Sequence, residues 1–177
     1  MAILRRTLCA ALFLALAGAG LAATPSRHDV LLAISVLERN VTGQDAVDAA
    51  KTIVVYAQDS DDVMVDIGPG QLPWVSEEWG LGKARELECQ SMLLAAFVAG
   101  DIRSQIKNAR AEDDTYSGWI FAIDAYNRLR AKGSFRSPSI EELSKMEAEG
   151  TLLEHAKEVQ SQENQEAPQE PQHAPLA

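Results

Sequence analysis

The stretch KARELECQSMLLAAFVAGDIRSQIKN, residues 83–108, decides the fold. Ala84, Leu87, Ser91, Leu94, Val98, Ile102 and Ile106 recur at spacings of three and four, which on a helix places them along one stripe. Met92, Leu93, Ala96 and Phe97 widen it. A helix apolar over so much of its circumference must be surrounded by others, so residues 83–108 are predicted to form the central element of a bundle. Gly100 costs roughly 1 kcal/mol relative to Ala inside such a helix, and therefore marks either a close backbone approach or a kink.

Working outward, helix signals recur on both sides. Ser26 with Asp29 has the form of a capping box, and Val30, Leu31, Ile34 and Leu37 then share one face of a helix ending near Asn40. Thr42 and Asp45 repeat the arrangement before Ala46, Val47, Ala50, Ile53, Val54 and Ala57, a stripe running to Gln58. So short a connection favours an antiparallel hairpin. On the far side, Thr115 is the expected cap of a helix carrying Trp119, Ile120, Ile123, Tyr126 and Leu129, stopped by Gly133. Pro138-Ser139-Ile140-Glu141-Glu142 opens a further helix with a capping box. Gly150 interrupts it, and Leu152, Leu153, Ala156 and Val159 continue a shorter piece. The predicted fold class is all-α, a single irregular bundle of four to six helices around the central one.

Asp59 to Gly82 breaks the helical pattern. Val63, Val65 and Ile67 alternate with Met64 and Asp66 as in a very short strand, but no partner strand is visible. With Gly68-Pro69-Gly70 and Pro73 as breakers, the segment reads as an ordered loop held against the helices by Trp74 and Trp79. Its acids do not make a calcium loop, because Val63 stands at a ligand position and no Gly follows where the turn requires one.

The chain opens with an export address. Arg5 and Arg6 precede an apolar run from Cys9 to Leu16, and Gly20-Leu21-Ala22-Ala23 supplies small residues for cleavage near Ala22 or Ala23. The run is shorter than the roughly 20 residues a membrane span needs, so no stable membrane insertion is expected after cleavage. The expected organisation is a signal peptide at 1–22, a helical domain at 23–160 and a disordered Gln/Glu/Pro-rich tail at 161–177. Its location would be periplasmic or secreted. Cys9 leaves with the leader, so Cys89 stands alone without an intramolecular disulfide, and its apolar helical setting predicts a buried thiol.

The whole chain carries 16 basic and 26 acidic residues, a net charge of −10. Losing Arg5 and Arg6 takes it to about −12, which repels nucleic acid and anionic membrane surfaces and attracts a cationic protein.

The equipment for catalysis is sparse. His28 and His155 are the only histidines within the expected domain, on helix surfaces near its two ends, and neither lies near a nucleophile or a second metal ligand in sequence. No cofactor or metal is expected. Ser104-Gln105-Ile106-Lys107 fits the Ser-x-x-Lys pattern of the penicillin-recognising enzymes, yet these residues continue the central amphipathic helix and the companion motifs are missing. Ala99-Gly100-Asp101 and Ala122 to Tyr126 are similar to pieces of tetratricopeptide units, without a second copy at the 34-residue period.

The residues expected to meet a partner are those of the acidic, aromatic loop: Asp61, Asp62, Asp66, Trp74, Glu77, Glu78 and Trp79. Aromatic residues are enriched where proteins recognise proteins. The expected function is a non-catalytic protein-binding domain of the bacterial cell envelope, such as an inhibitor or immunity protein for a basic wall-active enzyme. Two alternatives are a wall-glycan hydrolase or accessory using Glu77 and Glu78 beside the tryptophans, and a structural envelope component.

Overall fold

The computed structural model describes residues 24–166 apart from Ser134, with the backbone alone for 163–166. Residues 1–23, with the expected signal peptide, and residues 167–177 of the expected tail lie outside the described residues. Six α-helices follow one another: α1 (Arg27–Arg39), α2 (Gln44–Asp59), α3 (Lys83–Asn108), α4 (Thr115–Ala131), α5 (Pro138–Glu149) and α6 (Leu152–Glu166). A 3-10 turn at Pro73–Ser76 interrupts the loop between α2 and α3, and no strand occurs among the described residues.

The central helix has the bounds that its stripe predicts, and every residue from Met92 to Ile102 is buried. It packs most extensively on α4, and α2 covers another side. Only its first turns depart from expectation. Ala84 is exposed and Leu87 is 41% exposed, so with Val47, Ala50, Ser91 and Met92 they line an apolar groove of about 240 Å³ between α2 and α3.

Gly100 is a point of close approach. A Cβ there would lie 2.3 Å from the Ser117 carbonyl oxygen and 2.7 Å from Phe121 Cβ. Gly118 repeats the device from the other side, since its Cβ would meet the Phe97 ring at 2.6 Å. Two glycines, one on each helix, let α3 and α4 touch backbone to side chain across the middle of the bundle.

The caps follow local chemistry, with three corrections. Ser26 and Asp29 form the expected capping box on α1. For α2, however, the cap position is Gly43 at φ +88°, and Thr42 binds back to Asn40. For α4 the cap is Asp114, one residue before Thr115, and its carboxylate accepts from the Ser117 N–H at 3.0 Å. For α5 it is Ser137, with Pro138 at the first helical position. In each case the neighbouring side chain expected as the cap is diverted to a different hydrogen bond or starts the helix itself.

Gly150, at φ +77°, ends α5 in a left-handed conformation and lets α6 turn back. Leu152, Ala156 and Val159 of α6 are buried, and His155 stacks on Trp119 at 5.2 Å. Helix α6 runs to Glu166, so the first six residues of the segment expected to be a disordered tail are helical. Cys89 is 8% exposed, and burial pushes its thiol pKa up.

Candidate functional site

The loop between α2 and α3 is a strut laid along α3, antiparallel to it. Near its start, Asp62 accepts from the Tyr56 hydroxyl and from Arg27. Met64 donates its N–H to Gln105 Oε1 at 2.9 Å and accepts from Gln105 Nε2, so a helix side chain satisfies the backbone where a sheet partner is missing. Val63 and Val65 face inward on either side of the exposed Met64. The alternation visible in the sequence is therefore real, without a sheet.

Farther along, the Asp66 N–H donates to Asp113, and the Gln71 carbonyl accepts from Trp119 Nε1 at 2.8 Å. Trp74 is fully buried edge-on to Phe97. Near the loop's end, the Glu77 carbonyl accepts from Gln90, and the Trp79 N–H donates to Glu86. Contacts with α3 thus begin at Gln105 and finish at Glu86, about 28 Å apart at 1.5 Å per residue.

This geometry separates the residues expected to meet a partner. Asp61, Asp62 and Asp66 lie by the C-terminal end of α3 or beyond it, whereas Glu77, Glu78 and Trp79 lie at its N-terminal end. The seven residues do not form one surface. Trp74 faces the core and is not presented to solvent, and Trp79, 8% exposed, stacks on Phe135 at 5.2 Å.

Glu77 serves the fold at the N-terminus of α5. Its carboxylate accepts from the hydroxyls of Ser137 and Ser139, from the Ser139 N–H at 2.7 Å and from Trp79 Nε1 at 3.0 Å. Burial alone would raise its pKa, but these four donors outweigh it and hold the carboxyl below its usual range. One charge thereby joins the loop, the α4–α5 connection and the first turn of α5, where a helix favours an anion.

Beside it, Glu141 accepts from Arg136, Arg130 and the Tyr126 hydroxyl. The bonds from Arg136 lead in holding its pKa down. Glu78 and Trp79 meet Phe135, Arg136, Pro138 and Glu141 around an open recess of about 600 Å³. Glu78 itself is exposed and makes no ion pair among the described residues. Asp61 is likewise exposed and unpaired, at the other end of the molecule.

Sequence reasoning missed a second polar centre. Asp101 is completely buried on α3, where Oδ1 accepts from Gln105 Nε2 at 2.7 Å and from the Asp114 N–H at 2.9 Å. Its Oδ2 has no hydrogen-bond partner among the described residues. Burial first, and then the charge of Asp113, push its pKa well above the ordinary carboxylate value. The signal was present in the sequence, since Asp101 sits between Gly100 and Ile102 inside the buried run.

No group of three or more His, Cys, Asp or Glu side chains among the described residues is placed to hold a metal ion. No helix among them is long and apolar enough to cross a membrane. No family model matches the chain, and neither a curated protein nor a solved structure shows significant similarity to it.

Proposed function

We propose that this chain is an exported, non-catalytic binding domain of the bacterial cell envelope that docks a basic protein, acting as an inhibitor or immunity protein for a wall-active enzyme. The docking surface is the end of the bundle where Glu78 flanks the recess lined by Trp79, Phe135, Arg136 and Pro138. The observation that carries this reading is the unpaired, exposed Glu78 carboxylate beside that concave, partly aromatic surface. A net charge near −12 after loss of the leader supports it by steering a cationic partner from a distance.

The hydrolase alternative is weaker on one specific point. A glycosidase acid needs a carboxyl whose pKa is raised so that it holds a proton to donate. Glu77 has the opposite shift, and both its oxygens are occupied by the cap of α5.

Affinity capture from envelope extract, with retained proteins identified by mass spectrometry, tests the proposal. The wild-type chain is expected to retain a basic envelope protein, Glu78→Lys to lose it, and Asp61→Lys to keep it. Equal recovery by all three would remove the assigned surface.

A further inference from the structure

At the far end of α3 from Glu78, five parts of the fold converge on two carboxyl groups. Asp101 comes from α3 and Asp113 from the connection to α4. Asp113 Oδ1 accepts from the Asp66 N–H of the loop at 2.9 Å. Its Oδ2 accepts from the Thr115 hydroxyl at 2.9 Å and from Gln160 Nε2 of α6 at 2.8 Å, while its carbonyl accepts from Gln160 as well. Gln105, bonded to Asp101, holds the backbone of Met64 by both its N–H and its carbonyl. The pair therefore ties the loop, α3, α4 and α6 together.

Asp114 approaches the pair from the connection, where Ser104 and Ser117 engage it, and Asp66 stands on the loop that donates its N–H to Asp113. The cations on adjoining elements are directed elsewhere. Arg103 pairs with Glu38, Arg110 with Glu112 and Lys157 with Glu154, while Lys107 is exposed. On α6, His155 stacks on Trp119 and lies 3.8 Å from Glu158. A fully buried carboxylate beside a half-buried one, with no cation paired to either among the described residues, is costly to ionise. The orphan Oδ2 of Asp101 is the atom left to carry a proton toward Asp113.

We propose that Asp101 holds a proton beside the Asp113 carboxyl, a pH-sensitive latch that fastens the loop and α6 to the bundle and loosens as pH rises. The sign follows from linkage. Between the ordinary Asp value of 3.8 and the higher folded value of Asp101, the folded chain keeps a proton that the unfolded chain releases. Stability therefore falls with rising pH across that window. Asp101→Asn preserves the shape of the protonated state and can donate to Asp113 permanently, without titrating.

The test measures denaturant unfolding of the full chain and of Asp101→Asn across the pH range, together with hydrogen exchange of α6 amides in both at matched pH. The wild-type unfolding constant should rise relative to that of the variant by up to tenfold per pH unit. Exchange of α6 should become faster in the wild type than in the variant toward alkaline pH. Parallel pH profiles overturn the proposal, as does exchange in α6 that stays equal.

Infrared spectroscopy of the wild type adds a readout independent of any variant. A protonated-carboxyl stretch persisting above the pH at which ordinary aspartates ionise is expected, and its absence refutes the held proton. Calcium chloride alone, added at neutral pH, should leave the unfolding midpoint unchanged. A rise would make the pair a cation site in place of a proton latch.

Discussion

At the residue scale, most of the side chains that look functional in the sequence are consumed by the fold. Glu77 is the clearest case, because a Glu between two tryptophans reads as a surface acid until Ser137 and Ser139 are brought to it from sixty residues away. Replacing it by Gln removes charge-assisted bonds whose loss costs about 1–3 kcal/mol each, and a comparable drop in unfolding free energy is expected in urea titrations. Trp74→Ala should cost about 3–5 kcal/mol, the usual figure for emptying a buried aromatic site. That substitution would therefore report on folding rather than on binding.

Acidification should act in opposite directions on the depressed carboxyls and on Asp101. The depressed pKa values of Glu77 and Asp114 lend stability that is full above the ordinary carboxylate values and disappears as pH falls through their folded values. Asp101 has the reverse shift. Thermal melting followed by circular dichroism should accordingly peak at mildly acidic pH and decline on both sides. These partnerships were not legible beforehand, since each depends on a contact between residues distant in sequence.

At the element scale, much more could be read. The three-and-four spacing of apolar residues between 83 and 108 marks the bounds of α3, and the added apolar residues between 92 and 102 mark the part that is buried all round, leaving only the exposure of its first turns unread. The caps were less legible. Ser, Thr and Asp stand next to one another at several helix starts, and which of them serves is settled by the hydrogen bonds available to its neighbours, as with Thr42 and Thr115. The end of α6 lay beyond reach for another reason. Gln and Glu continue a helix as readily as they solvate a coil, so composition alone places the boundary too early.

The α3–α4 crossing offers a direct test of packing against propensity. Gly100→Ala and Gly118→Ala each gain up to about 1 kcal/mol of intrinsic helix preference, yet each places a methyl group closer than 3 Å to atoms across the interface. Overpacking of this kind typically costs 1–3 kcal/mol, and at Gly100 the obstructing atom belongs to the backbone. Net destabilisation is expected for both in chemical unfolding, and a stabilised Gly100→Ala protein would show that the helices are not in such close contact.

At the scale of the whole molecule, the strut connecting α2 to α3 decides what the acidic surface can do. By running the length of α3 it carries its acids to opposite ends of the bundle, separated by about 28 Å. One end is given over to the Asp101–Asp113 centre and the other to the recess beside Glu78. A partner engaged through the recess leaves Asp61 free, so charge reversal at the two sites should have unequal effects. Glu78→Lys is expected to weaken association by about tenfold or more, the loss from one disrupted interfacial charge pair, and Asp61→Lys to change it less than twofold at physiological salt. Both should soften as ionic strength rises.

Carbodiimide cross-linking of carboxylates to partner lysines, followed by peptide mapping of the captured complex, examines the assigned docking surface most directly. The account predicts cross-links from Glu78 to a basic envelope protein and none from Asp61 or Asp62. Cross-links confined to the Asp61 end, or an absence of any captured protein, would contradict it.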